Sequence, residues 1–225
     1  MIISVCVLAM TIAGCADVGS TGGIGVSVKP GDLIFRDSDC GPLCDAIEKV
    51  TTGYQGANLS HVGIAAKDEN DQMIVLEAVS KGVVATDLQS FFNHGSDPNS
   101  QPKVMVGRLK KSYRRLIPAA IKEAVALKGK PYDKVFAIDN DAYYCSELIY
   151  EIFRRANGGK PVFPLEPMTF KDPQTGQTLP AWEEYFEKLG IDVPEGKCGI
   201  NPGGISRSTA LTIVYLSESV SKKTP

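Results

Sequence analysis

The chain has 225 residues, of which 24 are Lys or Arg and 26 are Asp or Glu, and 43% of it is hydrophobic. That length suits one domain with a core of its own, and the composition excludes wholesale disorder, collagen-like repeats and polytopic membrane architecture. A formal charge of −2 offers no overall positive field, which argues against a general nucleic-acid binder. The oddity is six cysteines against two histidines, too many to ignore and too few for a disulfide-dense miniprotein.

Residues Met1 to Gly14 (MIISVCVLAMTIAG) form an apolar run too short to span roughly 30 Å of hydrocarbon as a helix. It reads as the hydrophobic region of a signal peptide, although no Lys or Arg precedes it. The run ends in Ile12-Ala13-Gly14-Cys15, which resembles the bacterial lipobox, where small residues lead to a cysteine that is lipidated and becomes the new first residue. Cys6 would leave with the signal over residues 1–14. A flexible tether is expected over 15–28, a folded domain over 29–217 and a polar tail over 218–225. The expected address is the bacterial cell envelope, periplasm or cell surface, with a membrane anchor on Cys15 and conditions that permit disulfides.

In the folded part, Pro30-Gly31-Asp32 turns into a strand at Leu33-Ile34-Phe35, and Asp37-Ser38-Asp39 can cap a short helix over Cys40–Val50. Ser60–Ala66 and Met73–Val79 read as strands joined by the charged turn Lys67–Gln72, a hairpin signal. Gly82–Thr86 and Lys103–Leu109 add two more strands. Helical spacing recurs between Arg114 and Lys128, stopped by Gly129, and again from Tyr144 to Asn157, closed by Gly158-Gly159. A Pro-rich loop covers Lys160–Pro180, a short helix carries the only Trp over Ala181–Leu189, and a last strand runs over Thr209–Leu216. Strands and helices segregate along the chain, which predicts an α+β fold.

Cys145 opens the second long helix on its apolar face, where unpaired N–H groups and the positive end of the macrodipole favour thiolate over thiol. A small buried core residue is the alternative reading of this position. A thiol nucleophile needs a base, and only His61 and His94 exist. His94 lies in the turn-rich FFNHGSDPNS and reads as a solvated loop residue. His61 opens a strand, which holds an imidazole rigidly. If the hairpin turn centres on residue 69, Glu77 stands directly opposite His61, on the same face and close enough to orient the ring and stabilise the imidazolium.

The pieces Gly31-Asp32-Leu33-Ile34-Phe35, Ser60-His61-Val62-Gly63-Ile64 and Tyr143-Tyr144-Cys145-Ser146-Glu147-Leu148-Ile149 together resemble the NlpC/p60 superfamily of papain-like cysteine hydrolases. In ordinary members the cysteine helix precedes the other two motifs; here it follows them, which resembles the circularly permuted, YiiX-like branch. The resemblance runs through most of Lys29–Leu216 and implies an antiparallel sheet or small barrel packed against helices. It implies Cys145 as nucleophile, His61 as base and Glu77 as the residue completing the triad; no cofactor or metal is expected. Tyr144 would help to shape the oxyanion or substrate-binding site. Members of the wider superfamily cleave peptidoglycan stem peptides or other amide and ester bonds, and relatives of similar fold transfer acyl groups on lipids. The expected function is therefore a cysteine peptidase or amidase acting through a thioester on peptide-like amides, with a peptide, peptidoglycan fragment or lipid as substrate. A lipid hydrolase or acyltransferase using the same residues, and a non-catalytic binding lipoprotein, stand as alternatives; a chiefly apolar groove beside Cys145 would favour the lipid reading.

Cys40, Cys44 and Cys198 are left over. Cys40 and Cys44 can form a disulfide if their segment is a loop, Cys198 can pair with either, and a zinc site on Cys40 and Cys44 would need His61 or Asp39. The run Lys110-Lys111 and Arg114-Arg115 is either a solvated basic face or a contact for anionic phospholipid.

Overall fold

The structure is a computed structural model and describes residues 24–94 and 102–220. The segment expected to be a signal peptide, with Cys6, and the expected lipidation site Cys15 lie outside the described residues. The elements run β1 (Leu33–Arg36), α1 (Pro42–Val50), β2 (His61–Lys67), β3 (Met73–Val79), β4 (Gly82–Asp87), α2 (Leu88–Asn93), β5 (Val104–Leu109), α3 (Ile117–Ala126), α4 (Cys145–Ala156), β6 (Glu166–Pro167), α5 (Pro180–Leu189), β7 (Cys198–Gly199), α6 (Pro202–Ser206) and β8 (Leu211–Leu216). Six strands form one antiparallel sheet in the order β4-β3-β2-β1-β5-β8, with β4 and β8 at its two ends. The fold is thus α+β with an open sheet, rather than the small barrel also considered. β6, inside the Pro-rich stretch expected to be loop, pairs with β7 in a separate two-stranded ladder.

The central strands β1 and β2 are apolar on both faces because both faces are covered. On one face α3 and α4 contribute Ala120, Ala124, Leu148, Ile149, Ile152 and Phe153 to a core shared with Leu33, Phe35, Ile64 and Leu76. On the other, α2 brings Leu88, Phe91 and Phe92 against Ile34, Ala65, Val75 and Val106. This helix was not expected in the turn-rich segment. Asp87 caps it, its Oδ1 accepting from Ser90 N at 2.9 Å, and burial of both phenylalanines supplies what local propensity lacks. A third cluster joins α1 to α5 through Ala46, Trp182 and Phe186.

The packed domain is wider than expected at both ends. Ile24 and Val28, assigned to the tether, are buried against the second sheet face, and Val220, assigned to the tail, is buried in the main core. α1 starts at Pro42 rather than Cys40, because a Cys40–Cys44 disulfide with Cα atoms 5.4 Å apart closes the turn before it and Pro42 suits a first helical position. Both sulfurs are thereby spent and hold no zinc.

The hairpin register also differs from expectation. Lys67 pairs with Met73 and Ile64 with Leu76, so the turn centres on residue 70 and Glu77 stands opposite Gly63, not His61. The longer loop is held by Asp68, whose Oδ1 accepts from Asn70 N and Gln72 N, and by Asp71 at φ 64°. Because the slip is two residues, His61 and Glu77 keep a common face as diagonal neighbours.

Candidate active site

The site forms where α4 meets the start of β2. Tyr144 is extended at the N-cap, with φ −90° and ψ 170°, and Cys145 is the first helical residue. Glu147 reaches back to accept from Tyr144 N at 3.3 Å, fixing the helix start. The carboxyl of Glu147 is pushed up to about 8 by burial and by Asp133, Glu151 and Asp139. It is therefore largely neutral near pH 7 and does not set a like charge two residues from Cys145. Gly158 and Gly159, both at positive φ, end the helix.

His61 Nε2 donates to Glu77 Oε2 at 2.5 Å, and Thr86 Oγ1 donates to Glu77 Oε1 at 2.5 Å. His61 and Thr86 approach Glu77 from diagonal positions on the two flanking strands. On the β2 side the residue across from Glu77 is Gly63; a Cβ there would meet Val75 Cγ1 at 2.4 Å and Glu77 Cβ at 3.3 Å, so the bare glycine leaves the carboxylate room to converge on the imidazole. With Nε2 committed, Nδ1 is the nitrogen left to take a proton from Cys145.

Cys145 is a buried free thiol. Burial opposes its ionisation and is the largest influence, yet the hydrogen bond and charge of His61, with Ser146 Oγ at 3.6 Å and the Val62 backbone N–H, together hold the thiol below its ordinary range. Burial likewise opposes protonation of His61, but hydrogen bonds to Cys145 and Glu77 and the thiolate's charge raise it, against a smaller push from Arg36. Burial would raise Glu77; the hydrogen bond and charge of His61 and the hydrogen bond from Thr86 bring it below the usual carboxylate range instead. The shifts agree in sense with a thiolate–imidazolium pair backed by a carboxylate.

Tyr144 is buried, its phenol oxygen accepting from Ile200 N at 3.1 Å. His94 is exposed at the end of α2 on the cavity rim, away from the core of the cluster. Cys198 is an exposed free thiol on β7. Thr86 and Arg36 were not singled out by the sequence. Arg36 pairs with His61 across β1 and β2, a neighbourhood that only the sheet order reveals.

A cavity of about 760 Å³ opens onto Cys145 and His61. Its walls are chiefly apolar, with Leu43, Ile47 and Val50 from α1, Phe136 and Phe170 from loops, and Trp182 from α5. The Cys40–Cys44 disulfide sits on the same wall.

Residues 27–215 match the family described as permuted papain-like amidase enzymes, YaeF/YiiX, the C92 family. The chain belongs to this family. The family is one of papain-like cysteine amidases, and the order of motifs, with the cysteine helix after the histidine strand, is the permuted one. The chain is similar to the uncharacterized protein YiiX of Escherichia coli K12, 27% identical over 189 residues that cover 83% of this chain and 85% of that protein. It also shares its fold with a crystal structure titled metalloprotein yiiX, from Escherichia coli O157:H7, at a TM-score of 0.67 and 24% identity, covering 84% of this chain and 97% of that one. The residues here do not fit a metal: no group of three or more His, Cys, Asp or Glu among the described residues is placed to hold an ion.

Proposed function

We propose that this permuted papain-like amidase is a thiol hydrolase of the bacterial cell envelope, anchored by a lipid on Cys15, with Cys145 as nucleophile, His61 as base and Glu77 orienting the imidazole. The observation that carries the reading is the Cys145 thiol at a helix N-terminus, interacting with a buried histidine whose other nitrogen bonds a carboxylate at 2.5 Å. Nδ1 of His61 takes the thiol proton, and the sulfur attacks the carbonyl carbon to give a tetrahedral oxyanion. In this reading, backbone N–H groups at the start of α4, that of Cys145 included, stabilise the developing charge, with Tyr144 lining the same cavity. His61 then protonates the leaving amine as the C–N bond breaks, leaving a thioester. A water deprotonated by the same imidazole releases the acid and the free thiol.

A specific observation favours one class among the substrates considered. The chiefly apolar walls beside the thiol suit an acyl chain, as in a lipid hydrolase or acyltransferase, better than a polar stem peptide. The test is incubation of the purified protein with peptidoglycan and, separately, with phospholipid and N-acyl amide vesicles, products being read by mass spectrometry. Release of fatty acyl products by wild type and not by Cys145→Ala supports the reading. Release of peptides alone restores the stem-peptide assignment, and activity that survives Cys145→Ala and His61→Ala removes the thiol mechanism.

A further inference from the structure

Arg36 ends β1 directly across from His61 and is only 4% exposed. A guanidinium so far from bulk water normally sits on a carboxylate, since an unpaired buried charge costs several kcal/mol. This one does not. Its Nε donates to Ser38 Oγ at 2.8 Å, one Nη1 N–H donates to the Phe91 carbonyl at 2.8 Å, and its carbon lies 4.6 Å from the centre of the Phe91 ring. Neutral acceptors and a ring face thus hold the group, and no carboxylate among the described residues lies within ion-pair distance. Glu77, the anion whose charge acts on it most, has one oxygen on His61 and the other on Thr86. Three of the five guanidinium N–H groups are left without an acceptor among the described residues, on a side chain that lines the same cavity as Cys145 and His61.

We propose that Arg36 is a specificity-determining anchor for an anionic group of the substrate, a carboxylate or a phosphate, held beside the scissile carbonyl. The proposal rests on the thiol-hydrolase reading of Cys145 and narrows its substrates to acyl compounds with a negative charge near the bond that is cut. The fork of a guanidinium suits the paired oxygens of either anion, and the ring of Phe91 and the Ser38 hydroxyl fix the fork's plane. The apolar walls then receive the acyl chain on the far side of the thiol.

The test needs no substrate. Cys145 is alkylated with iodoacetate and with iodoacetamide, reagents of the same shape that differ by one negative charge; in both, the thiolate forms an S–C bond and iodide leaves. Rates are read by intact mass, with glutathione as the reference thiol. The iodoacetate-to-iodoacetamide ratio at Cys145 should exceed that of glutathione by about tenfold or more, the scale of one charge-assisted hydrogen bond. It should collapse in Arg36→Gln and survive in part in Arg36→Lys, which keeps the charge without the fork. Thermal melts establish that each variant is folded. If neither folds, inorganic phosphate added to wild type should slow iodoacetate while sparing iodoacetamide. A wild-type ratio equal to that of glutathione, an unchanged ratio in folded Arg36→Gln, or phosphate acting alike on both reagents overturns the proposal and leaves the hydrolase reading standing. Iodoacetamide labelling of Cys145 no faster than glutathione near pH 6 removes the hydrolase reading, and the proposal with it.

Discussion

Replacing Glu77 with Gln keeps the shape of the side chain and removes its charge, so it isolates what the carboxylate does for His61. In the structure the two meet at 2.5 Å with both residues buried, and Thr86 holds the second oxygen. A charge-assisted hydrogen bond contributes about 1.5–3 kcal/mol and a neutral one about 0.5–1.5 kcal/mol, so Glu77→Gln forfeits about 1–2 kcal/mol, and it does so only when the imidazole is charged. At 1.36 kcal/mol per tenfold, formation of the thiolate–imidazolium pair falls by about 5- to 30-fold. The sign in pH follows from the same bond. Glu77 helps to raise His61, and His61 lowers Cys145. Without the carboxylate the imidazolium loses its proton at lower pH and the thiolate forms at higher pH, so the pH window that holds the pair narrows from both sides. The assay is the rate of Cys145 carbamidomethylation by iodoacetamide against pH, read by intact mass alongside a thermal melt. A folded Glu77→Gln protein with the wild-type rate below pH 7 would refute the reasoning.

Three other outcomes are expected. Gly63→Ala should lower stability by about 1–3 kcal/mol, the range for overpacking, because its Cβ meets Val75 Cγ1 at 2.4 Å; a melt unchanged from wild type would contradict the close approach seen in the hairpin. Removing the Cys40–Cys44 disulfide by a double serine replacement should cost about 2 kcal/mol for so short a loop and lower the Tm by several degrees, and equal Tm values for both proteins would show that the bridge adds nothing. Burial and the neighbouring Asp37 push Glu48 up to about 8 from 4.5. The folded state keeps a proton that the unfolded chain releases, so the contribution of this group to stability is fullest below pH 4.5 and declines as pH rises toward 8. Asp37, itself raised by burial, acts in the same sense. Glu48→Gln should flatten that decline, and parallel Tm-against-pH curves for variant and wild type would count against it.

The pattern of apolar residues is a local property, and it carried most of the strands and helices, including the placement of Cys145 at the start of α4 on the core-facing side. It also put His61 and Glu77 on one face, and they stay there because the register differs from the expected one by two residues, whereas a slip of one would have separated them. Exact pairing was beyond it, because the length of the hairpin loop is decided by Asp68 bonding the backbone of Asn70 and Gln72. The short helix α2 was hidden because its segment has turn-like composition and is held by tertiary burial of Phe91 and Phe92. Arg36, Thr86 and the apolar wall from α1 and α5 were out of reach for a different reason. They join the site through strand order and helix packing between segments far apart in the chain, and no spacing along the chain reports such neighbours. The cysteine spacing allowed several pairings, and only the three-dimensional turn before α1 settles on Cys40 with Cys44.

The most direct test of the account is capture of the covalent intermediate. Wild-type protein mixed rapidly with p-nitrophenyl octanoate should gain one octanoyl group, located on Cys145 by peptide mass spectrometry and released by hydroxylamine as expected of a thioester. His61→Ala should form the adduct far more slowly, and Cys145→Ala not at all. Acylation of another residue, or acylation of Cys145 at the same rate with and without His61, would contradict the assignment of these two residues as nucleophile and base.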